Sequence, residues 1–311
     1  MLTNSRLDLL LQVCVVVSAS TVLLAGFGRY DWRLDLLAHW RWHYLLTAGA
    51  LIVVLLLRKR YEYAALSALT LALNAVLLYP IANASAPASQ PVAVCRLRLA
   101  NVNVLYSSRE FDSVLSWLRS ARADFAVIVE PTAAWIKAIA PLQHDLPHYV
   151  AVPMRDGHGI AVYSRYPILK SEVLRLGESR RAAIVADINL GARMVRLVAA
   201  HPLPPRTAWK TRERDRYLRE IGGVVAAAGR PVILAGDLNT TPWSYSFQDL
   251  ARLTGLTTRS FPPTWPAFLG PLGIPIDHVL AKGLNIERLQ AGPRIGSDHL
   301  PLLADLTLTE P

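Results

Sequence analysis

The residues of this sequence that could do chemistry lie in short polar stretches set between apolar runs. In chain order they are Asn101-Val-Asn103, Glu130, His201, Gly236-Asp237-Leu-Asn239, Ile276-Asp277-His278 and Ser297-Asp298-His299-Leu-Pro301. Singly, each has an ordinary structural explanation. Asn-x-Asn is turn chemistry, Glu130 before Pro131 is a solvated strand end, and Asp-x-Asn is a common loop composition. Together they repeat carboxylate, amide and imidazole at successive strand ends, which is what a shared metal and phosphate site requires. A phosphate ester is shielded by its own negative charge, so its hydrolysis needs a cation, hydrogen-bond donors and an activated water. Mg²⁺ takes oxygen ligands and keeps several waters, which suits such a donor set; Mn²⁺ is the alternative ion.

The elements that must position these residues begin near Val92. Apolar runs predict strands at 96–102, 125–129, 160–164, 183–188, 195–200, 232–235, 277–280 and 302–306, and helical periodicity predicts helices at 111–121, 133–140, 209–228 and 245–254. Many strands with few helices imply a two-sheet core covered by helices.

The same motifs, joined by Gly159-Ile-Ala-Val-Tyr-Ser-Arg-Tyr-Pro167, resemble those of the endonuclease/exonuclease/phosphatase superfamily over residues 92–308. Gly-Asp-Leu-Asn and Ser-Asp-His-Leu-Pro are the most specific elements, and both are intact. The resemblance implies an α/β fold, a four-layer sandwich of two packed mixed β-sheets flanked by helices, like deoxyribonuclease I. It implies Glu130 as the main metal carboxylate, with Asn101, Asn103 and Asp298 as the other ligands; Asn103 stands where some relatives carry Asp, which weakens the local negative charge. His299 is expected as general base or as stabiliser of the phosphoryl centre, with Asp277 orienting it and favouring its charged form. Asp237 would orient or deprotonate the attacking water, and Asn239 and His201 would donate to the non-bridging oxygens. Arg181 and Trp265 are the candidate substrate contacts.

Up to about Ile81 the chain is different in kind. It accounts for much of the 52% hydrophobic content and of the mean hydropathy of +0.28, both high for a soluble domain. Three apolar stretches, about 9–27, 42–57 and 61–81, predict three transmembrane helices. A cleaved leader is disfavoured because Asp8 spoils its basic start, no small-residue cleavage site follows, and two more spans come after. Residues 82–91, small, polar and proline-containing, predict a linker to a catalytic domain over 92–311. Arg58-Lys59-Arg60, the densest basic cluster, predicts a cytoplasmic turn. A cytoplasmic N-terminus and an extracytoplasmic (periplasmic) catalytic domain in a multi-pass inner-membrane protein then follow, although Arg29, Arg33 and Arg41 in the first loop oppose this. Cys14 and Cys95 lie in different modules, so no disulfide is expected.

The net charge of +10 suits anionic partners without choosing one. The segment 206–219, with Arg206, Lys210, Arg212, Arg214, Arg216 and Arg219, could face an anionic surface or be an ordinary solvated helix. The uncharged, aromatic segment 261–275 could contact lipid, stack bases or pack on the core. Three readings follow: a metal-dependent phosphoesterase acting on a lipid or membrane-proximal phosphate, a membrane-tethered nuclease, and a binding module without activity. The intact Glu130, Asp237, Asn239, Asp298 and His299 argue against the last. A phosphate-ester substrate and the bilayer are the expected partners, with no obligate protein partner.

Overall fold

The computed structural model describes residues 4–83 and 93–309. The chain divides into two compact units, residues 1–84 with 241–245, and residues 85–240 with 246–311.

The first unit is helical: α1 (Asn4–Ala25), α2 (Trp32–Ala38), α3 (Arg41–Leu57) and α4 (Tyr61–Asn83). Segments Ser5–Ala25 and Tyr61–Leu78 are long and apolar enough to cross a membrane. The expected second span, 42–57, falls on α3, which is 17 residues long and reaches spanning length only together with α2, bent from it by 59° at a short break, so length and composition give two spans, or three if the pair counts as one. The expected linker starts too early: Ala82 and Asn83 belong to α4, and 84–91 lie outside the described residues. Polarity in this unit is inverted relative to a soluble bundle. Leu9, Leu10, Val13, Val17, Leu46, Val53, Leu69 and Val76 face outward, while Ser18, Ser67, Thr70 and Asn74 are buried. Arg41, at the start of α3, is buried and donates to Asn74 Oδ1 at 3.4 Å. Asp8 accepts from Arg58 at 2.6 Å and also from Arg60, which places the start of α1 at the same end of the unit as the basic turn.

The second unit holds the strands. A six-stranded sheet runs β10-β11-β1-β2-β4-β3 and a five-stranded sheet β5-β6-β7-β8-β9. The strands are β1 (Ala93–Asn103), β2 (Phe125–Val129), β3 (His148–Val152), β4 (Ile160–Ser164), β5 (Ile168–Leu176), β6 (Arg181–Asn189), β7 (Met194–Ala200), β8 (Val232–Asp237), β9 (Asp277–Lys282), β10 (Leu284–Ala291) and β11 (Leu302–Thr309). Both sheets are mixed: β1–β2 and β7–β8 are parallel and the other pairs antiparallel.

Alternation along each strand builds the layers. Leu97, Leu99, Val127 and Val162 meet Ile184, Leu197, Ile233 and Val279 between the sheets. On the outer face of the first sheet, Ala100, Val102, Ile128 and Tyr163 receive α5 (Phe111–Ala121) and α6 (Ala133–Ala138) through Val114, Leu118 and Trp135. On the outer face of the second, Val198, Leu234 and Leu280 receive α7 (Ala208–Ala226) and α8 (Tyr245–Thr254) through Tyr217, Ile221 and Phe247. The result is helix, sheet, sheet, helix. Mixed pairing sets the function of one edge: the ends of β1, β2, β7 and β8 lie beside the starts of β4, β6, β9 and β11, so loops from both sheets converge there.

Candidate active site

Asn101 and Asn103 are two apart on β1 and point into the space between the sheets, the side that Leu97 and Leu99 occupy further down the strand. Both are 1% exposed. Asn103 closes the strand and is the hub of the site. Its Nδ2 lies 3.1 Å from Glu130 Oε1, 3.2 Å from Asp237 Oδ2 and 3.5 Å from His299 Nε2. Its Oδ1 accepts from the backbone of Leu105 at 3.0 Å. Asn101, behind it, has no hydrogen-bond partner for either amide atom among the described residues.

Glu130 follows β2 in the left-handed region, at φ 65°. A non-glycine residue there is strained, and functional sites retain such strain when neighbours over-determine it. Its backbone N–H donates to Gly159 and its Oε2 accepts from the Tyr106 N–H at 3.2 Å. Burial raises its pKa, an effect that the Asn103 hydrogen bond opposes.

Asp237 ends β8 opposite Asp277, which starts β9. Burial, and then the charge of Asp277, push the Asp237 carboxyl up. Gly236 is required before it: φ is 149°, and a Cβ would sit 1.9 Å from the Ala200 carbonyl oxygen. Asn239 is again left-handed, at φ 49°, with its N–H donating to Asp237 Oδ1 at 2.9 Å and its side chain to the Pro202 carbonyl at 3.1 Å.

His299 and Asp277 form a tight pair, with Nδ1 donating to Oδ2 at 2.7 Å. Burial alone would lower the imidazole pKa; the charges of Asp277 and Asp237 overcome it and carry the pKa up to about 10. Thr264 Oγ1 accepts from the backbone N–H groups of Ile276 and Asp277, and Ser297 Oγ from that of His299, so both partners are held by their own backbone. His278 points the other way. It bonds the Thr240 carbonyl at 2.8 Å and packs on Phe247 and Phe261.

His201 is the electrostatic opposite of His299. Burial, then the nearby charge of Arg181, lower its pKa to about 3, so it is neutral. Its Nε2 lies 4.0 Å from Glu130 Oε1 and 3.8 Å from Asp237 Oδ2. A neutral Nε2–H facing two carboxylates is a donor. Tyr217 fixes the backbone here, accepting from the His201 N–H at 3.1 Å and donating to the Ala182 carbonyl at 2.9 Å.

Of the remaining expected residues, Asp298 and Trp265 are more open and Arg181 is buried. Asp298 is exposed and accepts from the indole N–H of Trp265 at 3.2 Å, so Trp265 orients a carboxylate. Arg181, at the start of β6, is 8% exposed. The basic segment 206–219 is not one uniform face. Arg214 is fully buried, reaching the Asn239 carbonyl at 3.4 Å and Asp215 at 2.8 Å, and Arg216 pairs with Glu178 at 2.5 Å. Arg206, Arg212 and Arg219 are exposed. Tyr217 and Thr264 were not legible as site residues, because a tyrosine on a helix or a threonine in a loop carries no signal until the fold names its partner.

The donor set fits a hard divalent cation. Glu130 and Asp237 aim carboxylate oxygens at one amide nitrogen, so negative potential concentrates there, and Asn101 adds a buried amide with no other partner among the described residues. Asp237, Asp277 and His299 also come close enough together to hold an ion; the Asp277–His299 hydrogen bond uses Oδ2 and Nδ1 and leaves Asp277 Oδ1 without a partner among the described residues.

A two-sheet sandwich with a carboxylate–amide–imidazole site at the loop edge defines a class. Residues 100–299 match the Endonuclease/Exonuclease/phosphatase family, and the chain belongs to it. A UPF0294 protein from Vibrio vulnificus is 31% identical over 105 residues. That match takes in 32% of this chain and 36% of the relative, so the chain spans about a third of the length of the curated relatives it matches. Among solved structures, D. rerio TDP2 complexed with a single-strand DNA product has a TM-score of 0.58 at 15% identity, over 68% of this chain and 98% of that one. Beta toxin from Staphylococcus aureus with bound magnesium ions has 0.56 at 16%, over 68% and 99%. Sphingomyelinase C from Streptomyces griseocarneus has 0.53 at 19%, over 68% and 99%. At these identities the likeness is one of fold.

Proposed function

We propose that this chain is a membrane-anchored, Mg²⁺-dependent phosphoesterase that hydrolyses a lipid or other membrane-proximal phosphate ester. The observation that carries the hydrolase reading is the convergence on Asn103 Nδ2 of Glu130, Asp237 and His299. Glu130, with Asn101 and Asp298, would hold the ion, which would supply charge neutralisation and acidify a water; Asn103, expected as a further ligand, instead presents its Nδ2 as a donor, its Oδ1 being taken by the Leu105 N–H. The chain's own residues then divide the remaining work. Asp237 orients the attacking water, and the charge of His299, which opposes the rise caused by burial and Asp277, favours the ionised carboxylate that takes its proton. His299, charged through Asp277, donates to the phosphoryl oxygens from Nε2; a group already protonated at neutral pH cannot also serve as base. His201 Nε2–H and the Asn239 amide add neutral donors where charge develops.

The anchor is residues 1–81, with apolar side chains outward and polar ones inward, the arrangement expected in lipid. The Asp8 pair with Arg58 and Arg60 supports placing the N-terminus and the basic turn on one side, with the catalytic domain, residues 92–311, across the membrane. Phe268 and Leu272, 71% and 50% exposed in the loop between Trp265 and Asp277, suit an apolar surface. A second reading, a tethered nuclease, draws on the exposed Arg206, Arg212 and Arg219.

The test is phosphate-ester cleavage by detergent-purified full-length protein, with plasmid DNA, RNA and mixed phospholipids offered in parallel. Chelation abolishes cleavage and Mg²⁺ restores it, and Glu130→Gln lowers turnover about 100-fold or more. Cleavage that survives chelator, or wild-type turnover by Glu130→Gln, would overturn the assignment.

A further inference from the structure

Beside the active site lies a cavity of about 390 Å³ whose lining includes Asp156, His158, Arg175, Arg180, Arg181 and Trp209. Three arginines face it, and none has a carboxylate within ion-pair distance among the described residues. The nearby acids are engaged elsewhere. Glu178 pairs with Arg216, Glu213 accepts from the Ser179 N–H at 2.9 Å, and Glu220 from the Gly177 N–H at 2.9 Å. Arg181 is the decisive member. It is buried, and its one hydrogen-bond partner among the described residues is His158 Nε2. His158 in turn donates from Nδ1 to Asp156 at 2.7 Å, which leaves Nε2 as the acceptor and fixes the guanidinium. No carboxylate touches the Arg181 fork, the charges of Asp156 and Glu130 reaching it only from a distance, and a buried cation without a contacting counter-ion is costly, so its remaining N–H donors suit an anion that arrives.

The cavity adjoins the metal carboxylate. Gly157 lies between Asp156 and His158, and a Cβ on it would sit 3.2 Å from Glu130 Oε2. Leu203, which also lines the cavity, is two residues from His201. Trp209, 45% exposed, adds a flat apolar wall.

We infer that this cavity is a second anion subsite, which selects phosphate esters carrying a further phosphate near the scissile one. Arg181 is its fixed fork, and Arg175 and Arg180 are its exposed arms. The inference rests on the hydrolase reading and names its substrate class. A two-phosphate lipid headgroup and a nucleic-acid backbone share this chemistry.

The experiment compares two p-nitrophenyl phosphodiesters, identical except for a phosphate on the retained alcohol, with full-length protein in detergent. Wild type is expected to prefer the second at least tenfold in kcat/KM, through KM. Arg175→Ala and Arg180→Ala each remove about tenfold of that preference. Arg181→Lys, which keeps the charge but loses the fork, lowers it in a folded protein. Equal use of both diesters by wild type overturns the subsite while leaving the hydrolase reading intact. A second arm needs no turnover: inorganic phosphate in chelator quenches tryptophan fluorescence, and Trp209→Phe removes the quench. Binding unaffected by Arg175→Ala and Arg180→Ala overturns the subsite, whereas weakened binding without cleavage of either diester supports it and sinks the hydrolase reading. Displacement of phosphate by a short oligonucleotide or by a deacylated two-phosphate headgroup identifies the source, and displacement by neither counts against the subsite.

Discussion

Replacing Asp277 with Asn preserves the side chain's shape and removes the charge that faces His299. In the wild type the pair is 2.7 Å apart and nearly dry, with Asp277 3% and His299 5% exposed. Raising the imidazole from its ordinary 6.5 to about 10 corresponds to roughly 5 kcal/mol in favour of the charged form. In the Asp277→Asn variant the largest charge opposing burial and its hydrogen bond are both gone, so the imidazole pKa falls well below its wild-type value. The imidazolium is fully present below its pKa and is lost as pH rises through it. Wild type therefore keeps the donor across neutral pH and loses it near pH 10, and Asp277→Asn loses it at a lower pH. Where the variant's imidazole is neutral and that of the wild type still charged, kcat falls by about 10²–10⁴. The assay is kcat/KM for bis(p-nitrophenyl) phosphate at saturating Mg²⁺ from acid to alkaline pH, with circular dichroism to show that the fold survives. A variant with wild-type rate at pH 7.5 and an unmoved alkaline limb would refute the role given to this pair.

The other expected outcomes are structural. Gly236→Ala drives a Cβ to 1.9 Å from the Ala200 carbonyl at a backbone angle glycine favours, so it costs about 3 kcal/mol or more in thermal unfolding; an unchanged Tm would show that the β7 and β8 ends can separate freely. Tyr217→Phe leaves the His201 N–H and the Ala182 carbonyl unpaired in the core, an expected loss of about 1–3 kcal/mol by urea unfolding together with reduced kcat. Full retention of both would exclude Tyr217 as the residue that positions His201. Asp187 is held below the usual carboxylate range chiefly by its two bonds from Arg196, at 2.8 and 2.9 Å. Its stabilisation is complete above the unfolded pKa near 3.8 and is lost as pH falls through the lower folded value. Asp187→Asn should therefore cost about 1 kcal/mol at neutral pH and progressively less in acid, and a deficit independent of pH would point to packing instead.

The chain by itself determined the central strands, the main helices and the order of the motifs. Strands β2, β4 and β8 are buried along their whole length, so each opens with an apolar run, which in β8 ends at Gly236-Asp237. Helices α5 and α8 fall at 111–121 and 245–254, as periodicity implies. Strands β3, β5 and β10 were not legible. All three are sheet edges with mixed exposure; β3 and β5 lack the alternation that announces a strand, and in β10 it is broken by a bulge between Ile286 and Arg288, so pairing with β4, β6 and β11 decides their state.

The site divides the same way. Residue types and order named Asn101, Asn103, Glu130, His201, Asp237, Asn239, Asp277 and His299, because carboxylates and amides at strand ends have few uses in common. Only the tertiary structure decided that one histidine is charged and the other neutral, since that depends on Asp277 at 2.7 Å in one case and on burial beside Arg181 in the other. Only the fold brought His158 and Asp156 behind Arg181, across a loop that the sequence shows merely as turn residues. A sequence fixes which groups a chain carries and, through periodicity, which local elements form. The charge each group holds depends on distances between residues far apart in the chain, and those distances exist only after the sheets have paired.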